Sequence, residues 1–282
     1  MKLTLIPAAI ATTVVFVAGP ALAQDAAQDT AMHFDGLYVS GIVGATAQNN
    51  DGGEGVVFDN GRNGSFGDVV RTAAGADAFS PGFCNGVALG NNPGAGCRKD
   101  RNNIEYGGRI GYDMRMGENF VVGGLFEVSR NKSRDGVSAF STTPASYSFD
   151  RQLDNALSLR ARAGYTPGGG ILFYATGGAS YAKIDHDFAT TNTANSFTEV
   201  RDEKRVWGWQ AGGGGEVMLT DNISLGLEYL YNRYRDNKYA VAVGQGTAPA
   251  TNPFVLAGGV NMRPSDTRYD FHSLRATVSF QF

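Results

Sequence analysis

The chain is organised by a period of two. In its final segment His272, Leu274, Ala276, Val278, Phe280 and Phe282 share one side, and Ser273, Arg275, Thr277, Ser279 and Gln281 share the other. Successive side chains of a strand point to opposite faces, so this pattern predicts a strand with one apolar and one polar face. The division recurs upstream. Ile104, Tyr106, Gly108, Ile110 and Tyr112 alternate with Glu105, Gly107, Arg109 and Gly111, and after a turn at Arg115 to Asn119 the residues Val122, Gly124, Phe126 and Val128 alternate with Gly123, Leu125, Glu127 and Ser129. Leu157, Leu159, Ala161 and Ala163 oppose Ser158, Arg160, Arg162 and Gly164, and the turn Thr166-Pro167-Gly168-Gly169-Gly170 leads into a strand from Ile171 to about Ile184.

Next, Trp207, Trp209, Ala211, Gly213, Val217 and Leu219 oppose Gly208, Gln210, Gly212, Gly214 and Glu216. The chain reverses at Thr220-Asp221-Asn222, and Ile223, Leu225, Leu227, Tyr229 and Tyr231 then oppose Ser224, Gly226, Glu228 and Asn232. A first strand from about Leu37 to Ala47 brings the total to eight, with the facing of the first and fifth strands left open. Turns of about three to five residues follow the even strands, and polar, glycine-rich loops of roughly 20 to 50 residues follow the odd ones. Short periplasmic turns and long external loops are how outer-membrane barrels are built.

Alternation alone would also suit a soluble sandwich, and the placement of charge separates the two. Glu105, Arg109, Glu127, Arg160, Arg162, Glu216, Glu228 and Arg275 all sit in mid-strand on the polar faces, four acids and four bases, while the opposite faces carry almost no charge. An eight-stranded barrel has an interior only wide enough for side chains to fill. Unpaired charges there are costly, whereas Glu and Arg placed across the lumen neutralise and hydrogen-bond one another. The expectation is an all-β fold: an eight-stranded antiparallel transmembrane up-and-down β-barrel with a lumen plugged by this network. Aromatic residues sort to the two ends of the strands, with Tyr112, Phe120, Tyr165, Phe280 and Phe282 at the periplasmic interface and Trp207, Trp209, Tyr229 and Tyr231 at the outer one. Rings that span apolar and wet layers favour both interfaces.

Composition narrows the remaining classes. Residues 1–23 carry Lys2, an apolar run and Ala21-Leu22-Ala23, which reads as a secretory signal peptide cut after Ala23, with 24–33 as a short periplasmic lead into a barrel over 34–282. The formal net charge is -3, and loss of Lys2 makes it one unit more negative, so no basic field exists to attract nucleic acid. No segment beyond the leader offers the roughly 18 consecutive apolar residues of a membrane helix. Cys84 and Cys97 lie in a stretch of Gly, Asn and Pro without two further zinc ligands, which favours a local disulfide in an exported chain over a metal pair.

On these residues the chain resembles the small OmpA-like, porin-family outer-membrane barrels of alphaproteobacteria. Carrying the likeness are Phe34-Asp35-Gly36-Leu37-Tyr38, the Gly-Gly strand centres and the terminal Val278-Ser279-Phe280-Gln281-Phe282, over about residues 34 to 282. Phe34 stands where that family often has Trp, and the first loop, from Gln48 to Arg101, is longer than is usual for it. The resemblance implies that Val278, Phe280 and Phe282 form the signal read by the barrel-assembly machinery, and that the partners are outer-membrane lipids and lipopolysaccharide, together with a host or surface ligand of the loops.

A search for chemistry returns little. His33, His186 and His272 are the only histidines. A lipid-modifying enzyme needs Ser and His on one surface, yet the adjacent His272 and Ser273 point to opposite faces. Asp51, Glu54, Asp59, Asp185 and Asp187 lack the spacing of a calcium loop, and the glycine run at Gly212 to Gly215 lacks the Lys-Ser/Thr and helix of a phosphate loop. The expectation is therefore no catalysis, no metal and no cofactor. Bases at the outer rim, Lys132, Arg134, Arg151, Arg233, Arg235, Lys238, Arg263 and Arg268, suit either lipopolysaccharide phosphates or plain solvation. The expected function is a surface-display anchor for envelope integrity, adhesion or host contact, with two alternatives: a narrow channel for small solutes, and a haem- or small-ligand-binding surface protein with His186 and loop tyrosines such as Tyr239 as axial donors.

Overall fold

Eight strands close on themselves in a computed structural model that describes residues 33–48, 53–168, 170–200 and 205–282. They are β1 (Gly36–Gln48), β2 (Asn103–Met116), β3 (Phe120–Asn131), β4 (Ala145–Gly168), β5 (Ile171–Thr190), β6 (Arg205–Met218), β7 (Ile223–Arg235) and β8 (Arg268–Gln281). Each pairs antiparallel with its neighbours in sequence, and β8 returns to β1, with Tyr38 opposite Gln281 and Gln48 opposite Phe271. Closure leaves no strand edge unpaired, which the absence of water in hydrocarbon requires. The expected signal peptide and nearly all of the 24–33 lead lie outside the described residues, as do Asp51 and Gly169.

The alternation read from the sequence fixes what each face meets. Ile104, Tyr106, Ile110, Phe126, Val128, Leu159, Leu225, Leu227, Leu274 and Val278 point outward, while the polar partners of these strands are buried inside. Both open facings are now assigned. Leu37, Val39 and Val43 of β1 point outward and Tyr38, Ser40, Ile42 and Thr46 inward; in β5, Phe173 points outward and Leu172, Tyr174, Thr176 and Ser180 inward. Their ambiguity has a physical source, because Ile42 and Leu172 are apolar residues that face the lumen.

Glycines let the walls coil tightly. At Gly212 an added Cβ would run into the Tyr229 carbonyl oxygen of the neighbouring strand, and at Gly214 one would lie 2.9 Å from the Tyr174 hydroxyl oxygen. The backbone approach at Gly212, as much as room for charged side chains, demands the missing side chain there.

The polar connections expected between the odd and even strands hold structure of their own. A membrane strand needs about 9–11 residues, yet β4 has 24 and β5 has 20, so both rise well past the bilayer. The strand Arg134–Ser141 pairs along the raised part of β4, and Gly82–Asn85 pairs with it in turn. A second, four-stranded sheet is built wholly from loops, in the order Ser196–Val200, Ala240–Gly244, Val260–Pro264, Val56–Asn60. Between these layers lies an apolar core that includes Phe58, Phe79, Tyr147, Phe149, Val241, Phe254 and Met262. The loops are thus a folded extracellular cap.

Candidate functional site

The lumen is filled in layers, beginning at the periplasmic mouth. Phe34 turns inward and packs with Val121, Leu172 and Tyr174, with Met218 against them. Its backbone sits at φ 59°, in the left-handed region that bulky residues seldom adopt, and its amide donates to Gln281 Oε1 at 3.2 Å. The strain and the hydrogen bond together aim the ring into the barrel.

Above this plug stands Arg162 of β4. Its Nε donates to Asp113 Oδ1 at 2.8 Å and its Nη1 to Glu216 Oε1 at 2.8 Å, while Nη2 meets Asp113 Oδ2. The Tyr38 and Tyr174 rings lie 4.7 and 4.9 Å from the guanidinium carbon, so aromatic faces close its remaining sides. Asp113 escaped the sequence reading because it lies next to the predicted turn; continuing the lumen parity of Glu105 and Arg109 by two more steps would have found it.

The middle layer joins opposite walls. Glu228 of β7 takes Arg109 of β2 in a two-pronged contact at 3.1 and 3.2 Å, Arg160 of β4 at 3.3 Å, and Arg275 of β8. Glu127 of β3 meets the same three guanidiniums, Arg160 at 2.5 Å, Arg275 at 2.7 Å and Arg109 at 3.5 Å. Glu105 adds a contact to Arg275 at 3.3 Å. Three bases and three acids balance in this layer, and side-chain exposure of Arg109, Arg160, Arg275, Glu127 and Glu228 is at most 1%. The Tyr174 hydroxyl donates to Glu228 Oε2 at 2.9 Å and so ties the middle layer to the one below. All eight charges named from the sequence are buried inside the barrel, six of them in this layer and the other two, Arg162 and Glu216, paired in the layer below.

Beyond the charges comes an apolar layer of Leu153, Ala156, Ala182, Ile184, Val206, Tyr234, Tyr269 and Phe271. Over it, at the base of the cap, Arg151 is buried, which removes it from the rim bases open to lipid. It contacts Asp135 at 2.6 Å, Asp236 at 3.5 Å and Glu54 at 3.9 Å, and donates to the Asp266 and Arg268 carbonyls. His186 Nε2 lies 2.9 Å from Asp236 Oδ2, and its ring stacks on Tyr239 at 4.1 Å with the planes 8° apart. The stack leaves no space for a porphyrin between the two donors proposed for haem.

Acids outnumber Arg151 here, and their titration reflects it. Burial, reinforced by Asp135, pushes the Glu54 carboxyl up to about 8, and the same two causes push Asp100 up to about 6. Burial also pushes Asp236 up, but the His186 hydrogen bond and the Arg151 charge outweigh it and hold this carboxyl below its ordinary value. Asp59 is occupied elsewhere, accepting from the Asn63 and Gly64 amides at 2.8 and 3.0 Å, and Asp185 pairs with Lys183 at 3.0 Å. Among the described residues no group of three or more His, Cys, Asp or Glu is arranged to hold a metal ion.

Outside the lumen, Tyr112, Phe120, Tyr165, Trp207, Trp209, Tyr229, Val278, Phe280 and Phe282 are exposed on the outward surface, and Tyr231 beside them donates to Asp270 Oδ2 at 2.5 Å. His272 also faces outward, 2.6 Å from the Tyr229 hydroxyl, whereas Ser273 is buried in the lumen and accepts from Asn232 at 3.1 Å. Cys84 and Cys97 are joined in a disulfide within the first loop, their Cα atoms 6.3 Å apart.

A closed barrel with an apolar outer wall and a charge-paired interior is a bacterial outer-membrane protein. The chain belongs to the outer membrane protein beta-barrel domain family, whose model matches residues 9–282. It is 26% identical over 176 residues to the 31 kDa outer-membrane immunogenic proteins of Brucella melitensis and Brucella suis, a match covering 62% of this chain and 65% of each relative. Among solved structures it is similar to the outer membrane protein OprG of Pseudomonas aeruginosa, with 13% identity, 89% and 98% of the two chains covered and a TM-score of 0.47. It is also similar to Ail, the attachment invasion locus protein of Yersinia pestis, with 12% identity, 87% and 99% covered and a TM-score of 0.32.

Proposed function

We propose that the protein is a non-catalytic anchor in the outer membrane, whose barrel is closed to solutes and whose folded cap is displayed at the cell surface for envelope integrity, adhesion or host contact. One observation carries this reading: Glu127 and Glu228, from opposite walls, share the guanidiniums of Arg109, Arg160 and Arg275, so charge-assisted bonds span the lumen at mid-height. Apolar layers above and below reinforce it. Opening a path would require separating buried ions, each separation costing about 3–5 kcal/mol. The same proposal includes export through residues 1–23, anchoring by the two aromatic belts, and recognition of Val278, Phe280 and Phe282 by the barrel-assembly machinery. The Brucella relatives are named for immunogenicity, which is in keeping with an exposed cap on this chain.

The test is conductance across a planar lipid bilayer after insertion of the purified protein. A silent membrane is expected. Steady nanosiemens openings would overturn the sealed lumen and favour the channel reading.

A further inference from the structure

All four outer connections meet at the crown of the cap, around a cavity of about 240 Å³. The first supplies Ala78 and Phe79, the second residues 141–145, the third 191–194 and the fourth 252–254, with Tyr147 near the start of β4 among them. Register gives the height of the cavity. Leu157 lies opposite Tyr181, and Tyr181 opposite Trp207 of the outer aromatic belt. From Leu157 the strand continues to Tyr147, about 33 Å farther along its length. That distance carries the cavity past the headgroups of the protein's own bilayer.

The chemistry of its wall identifies the occupant. No acid or base lines it, whereas the cavities beside Arg151 and beside Asp100 are lined by both. An ionised ligand would enter without a counter-charge and at a desolvation cost. Buried Phe79, Tyr147 and Phe254, their rings 5.4 to 5.9 Å apart, form an apolar floor with Ala78 and Ala145. The polar rim is held in place from within. Asn192 Nδ2 donates to the Tyr147 hydroxyl at 2.9 Å, the Ala194 amide donates to Asn192 Oδ1 at 2.9 Å, the Ser146 amide to Thr191 Oγ1 at 2.9 Å and the Phe254 amide to Asn252 Oδ1 at 3.0 Å. The first two connections are tied by the Thr142 amide, which donates to the Ala78 carbonyl at 2.8 Å. Thr142, Thr143 and Thr193 are exposed on this rim, and their hydroxyls form no side-chain hydrogen bond among the described residues.

We propose that this cavity seats one neutral pyranose, the terminal sugar of a glycan that reaches the cap from another surface. A pyranose has apolar C–H faces, which suit the floor of rings and small side chains, and a girdle of hydroxyls that both donate and accept, as do the three threonine hydroxyls of the rim. The volume lies under the roughly 300–1,000 Å³ of a cleft for a drug-sized ligand, which limits the occupant to a single ring. A wall already fixed by its own hydrogen bonds loses little freedom on binding. The assignment deepens the surface-contact reading proposed above, rests on the outward placement of the cap, and is independent of whether the lumen conducts.

The test places the full-length mature protein in phosphatidylcholine nanodiscs and follows saturation-transfer NMR of the methyl glycosides of glucose, galactose, mannose and N-acetylglucosamine. Saturable transfer to at least one is expected, strongest at its ring C–H protons, with the methyl glycoside of glucuronic acid roughly tenfold weaker or more because it adds a carboxylate. The triple substitution T142A/T143A/T193A, which removes exposed hydroxyls, is expected to weaken binding roughly tenfold or more. Thr193→Trp, which fills the cavity from its rim, should abolish it. Near-ultraviolet dichroism from the cap tyrosines is expected to be the same in both variants as in the wild type. Absence of saturable transfer to all four sugars, equal binding of the glucuronide, or wild-type affinity in both variants overturns the proposal. So does stronger competition by N-acetyl-alanyl-alanine amide, which would reassign the cavity to a peptide. Loss of transfer in nanodiscs that carry lipopolysaccharide with its O-chain would make the cell's own glycan the occupant and overturn the outside source. Nanodiscs leave both faces of the membrane open, so a negative result falls on the cavity and not on the outward placement of the cap, and planar-bilayer conductance reads the sealed lumen separately.

Discussion

Glu228 and Glu105 lie on the same polar faces in the sequence, yet the barrel gives them unequal work. Glu228 accepts from Arg109, Arg160, Arg275 and Tyr174, whereas Glu105 contacts Arg275 at 3.3 Å and its Oε2 has no hydrogen-bond partner among the described residues. Removing one member of a buried ion cluster strands its partners, so Glu228→Gln is expected to destabilise the barrel by about 3–5 kcal/mol. Glu105→Gln should cost about 1 kcal/mol, the range of a single hydrogen bond. Urea midpoints in detergent micelles measure both, and equal shifts would refute the ranking. The inward facing of the lumen charges was legible because period two fixes facing once any member of a strand is placed. Which acid meets which base was not, because Arg109 and Glu228 are 119 residues apart and meet only through closure of the ring. Asp113 shows the other limit: at a strand end, parity continues after the visible pattern stops.

Among elements, the barrel strands and the cap strands differ in how much of themselves they carry in local sequence. Residues Ile104 to Ser129 announce a hairpin through alternation on both sides of a short turn. The cap sheet joins Val56–Asn60 to Val260–Pro264 and Ser196–Val200 to Ala240–Gly244, five-residue strands brought together from three different loops. Five residues give too few alternations to separate strand from loop, and their partners are invisible without the barrel that gathers them. The cap also carries the protein's pH response. Glu54 ordinarily titrates near 4.5 but is pushed up to about 8 in the folded cap, and Asp100 to about 6. Between the ordinary and raised values the folded state binds more protons than the unfolded one, so cap stability falls as pH rises through this window. Asp236, held low, acts in the opposite sense only below its ordinary range, so it leaves this interval alone. Amide exchange in the cap strands should therefore quicken from pH 5 to pH 9 beyond the intrinsic base-catalysed rate, and Glu54→Gln should flatten the response; an unchanged profile in that variant would assign the effect elsewhere. Reduction of Cys84–Cys97 is expected to loosen only the first loop, by about 3 kcal/mol for a loop of this size, with cleavage by added protease confined to that segment.

At the scale of the whole molecule, two cores share one chain and do not share their solvent. The barrel's cohesion comes from a closed hydrogen-bonded ring and paired charges behind an apolar wall, held in hydrocarbon; the cap's comes from Phe58, Phe79, Tyr147, Phe149 and Phe254 packed away from water. Denaturants weaken apolar burial by solvating the exposed groups, and they reach the cap directly while the bilayer shields the ring. The chain distributes its chromophores so that the two can be watched separately. Both tryptophans lie on the outer wall of β6, and the aromatic residues of the cap core are Phe and Tyr. In guanidinium titrations of the reconstituted protein, near-ultraviolet dichroism from the cap tyrosines should be lost at a lower concentration than the tryptophan emission changes. Phe254→Ala, which removes a ring packed on Phe79 and Tyr147, should move the first transition down by about 3–5 kcal/mol and leave the second in place. Coincident transitions, or a shift of both by the same amount, would mean that cap and barrel unfold as one unit and that display on this scaffold is inseparable from the integrity of the membrane ring.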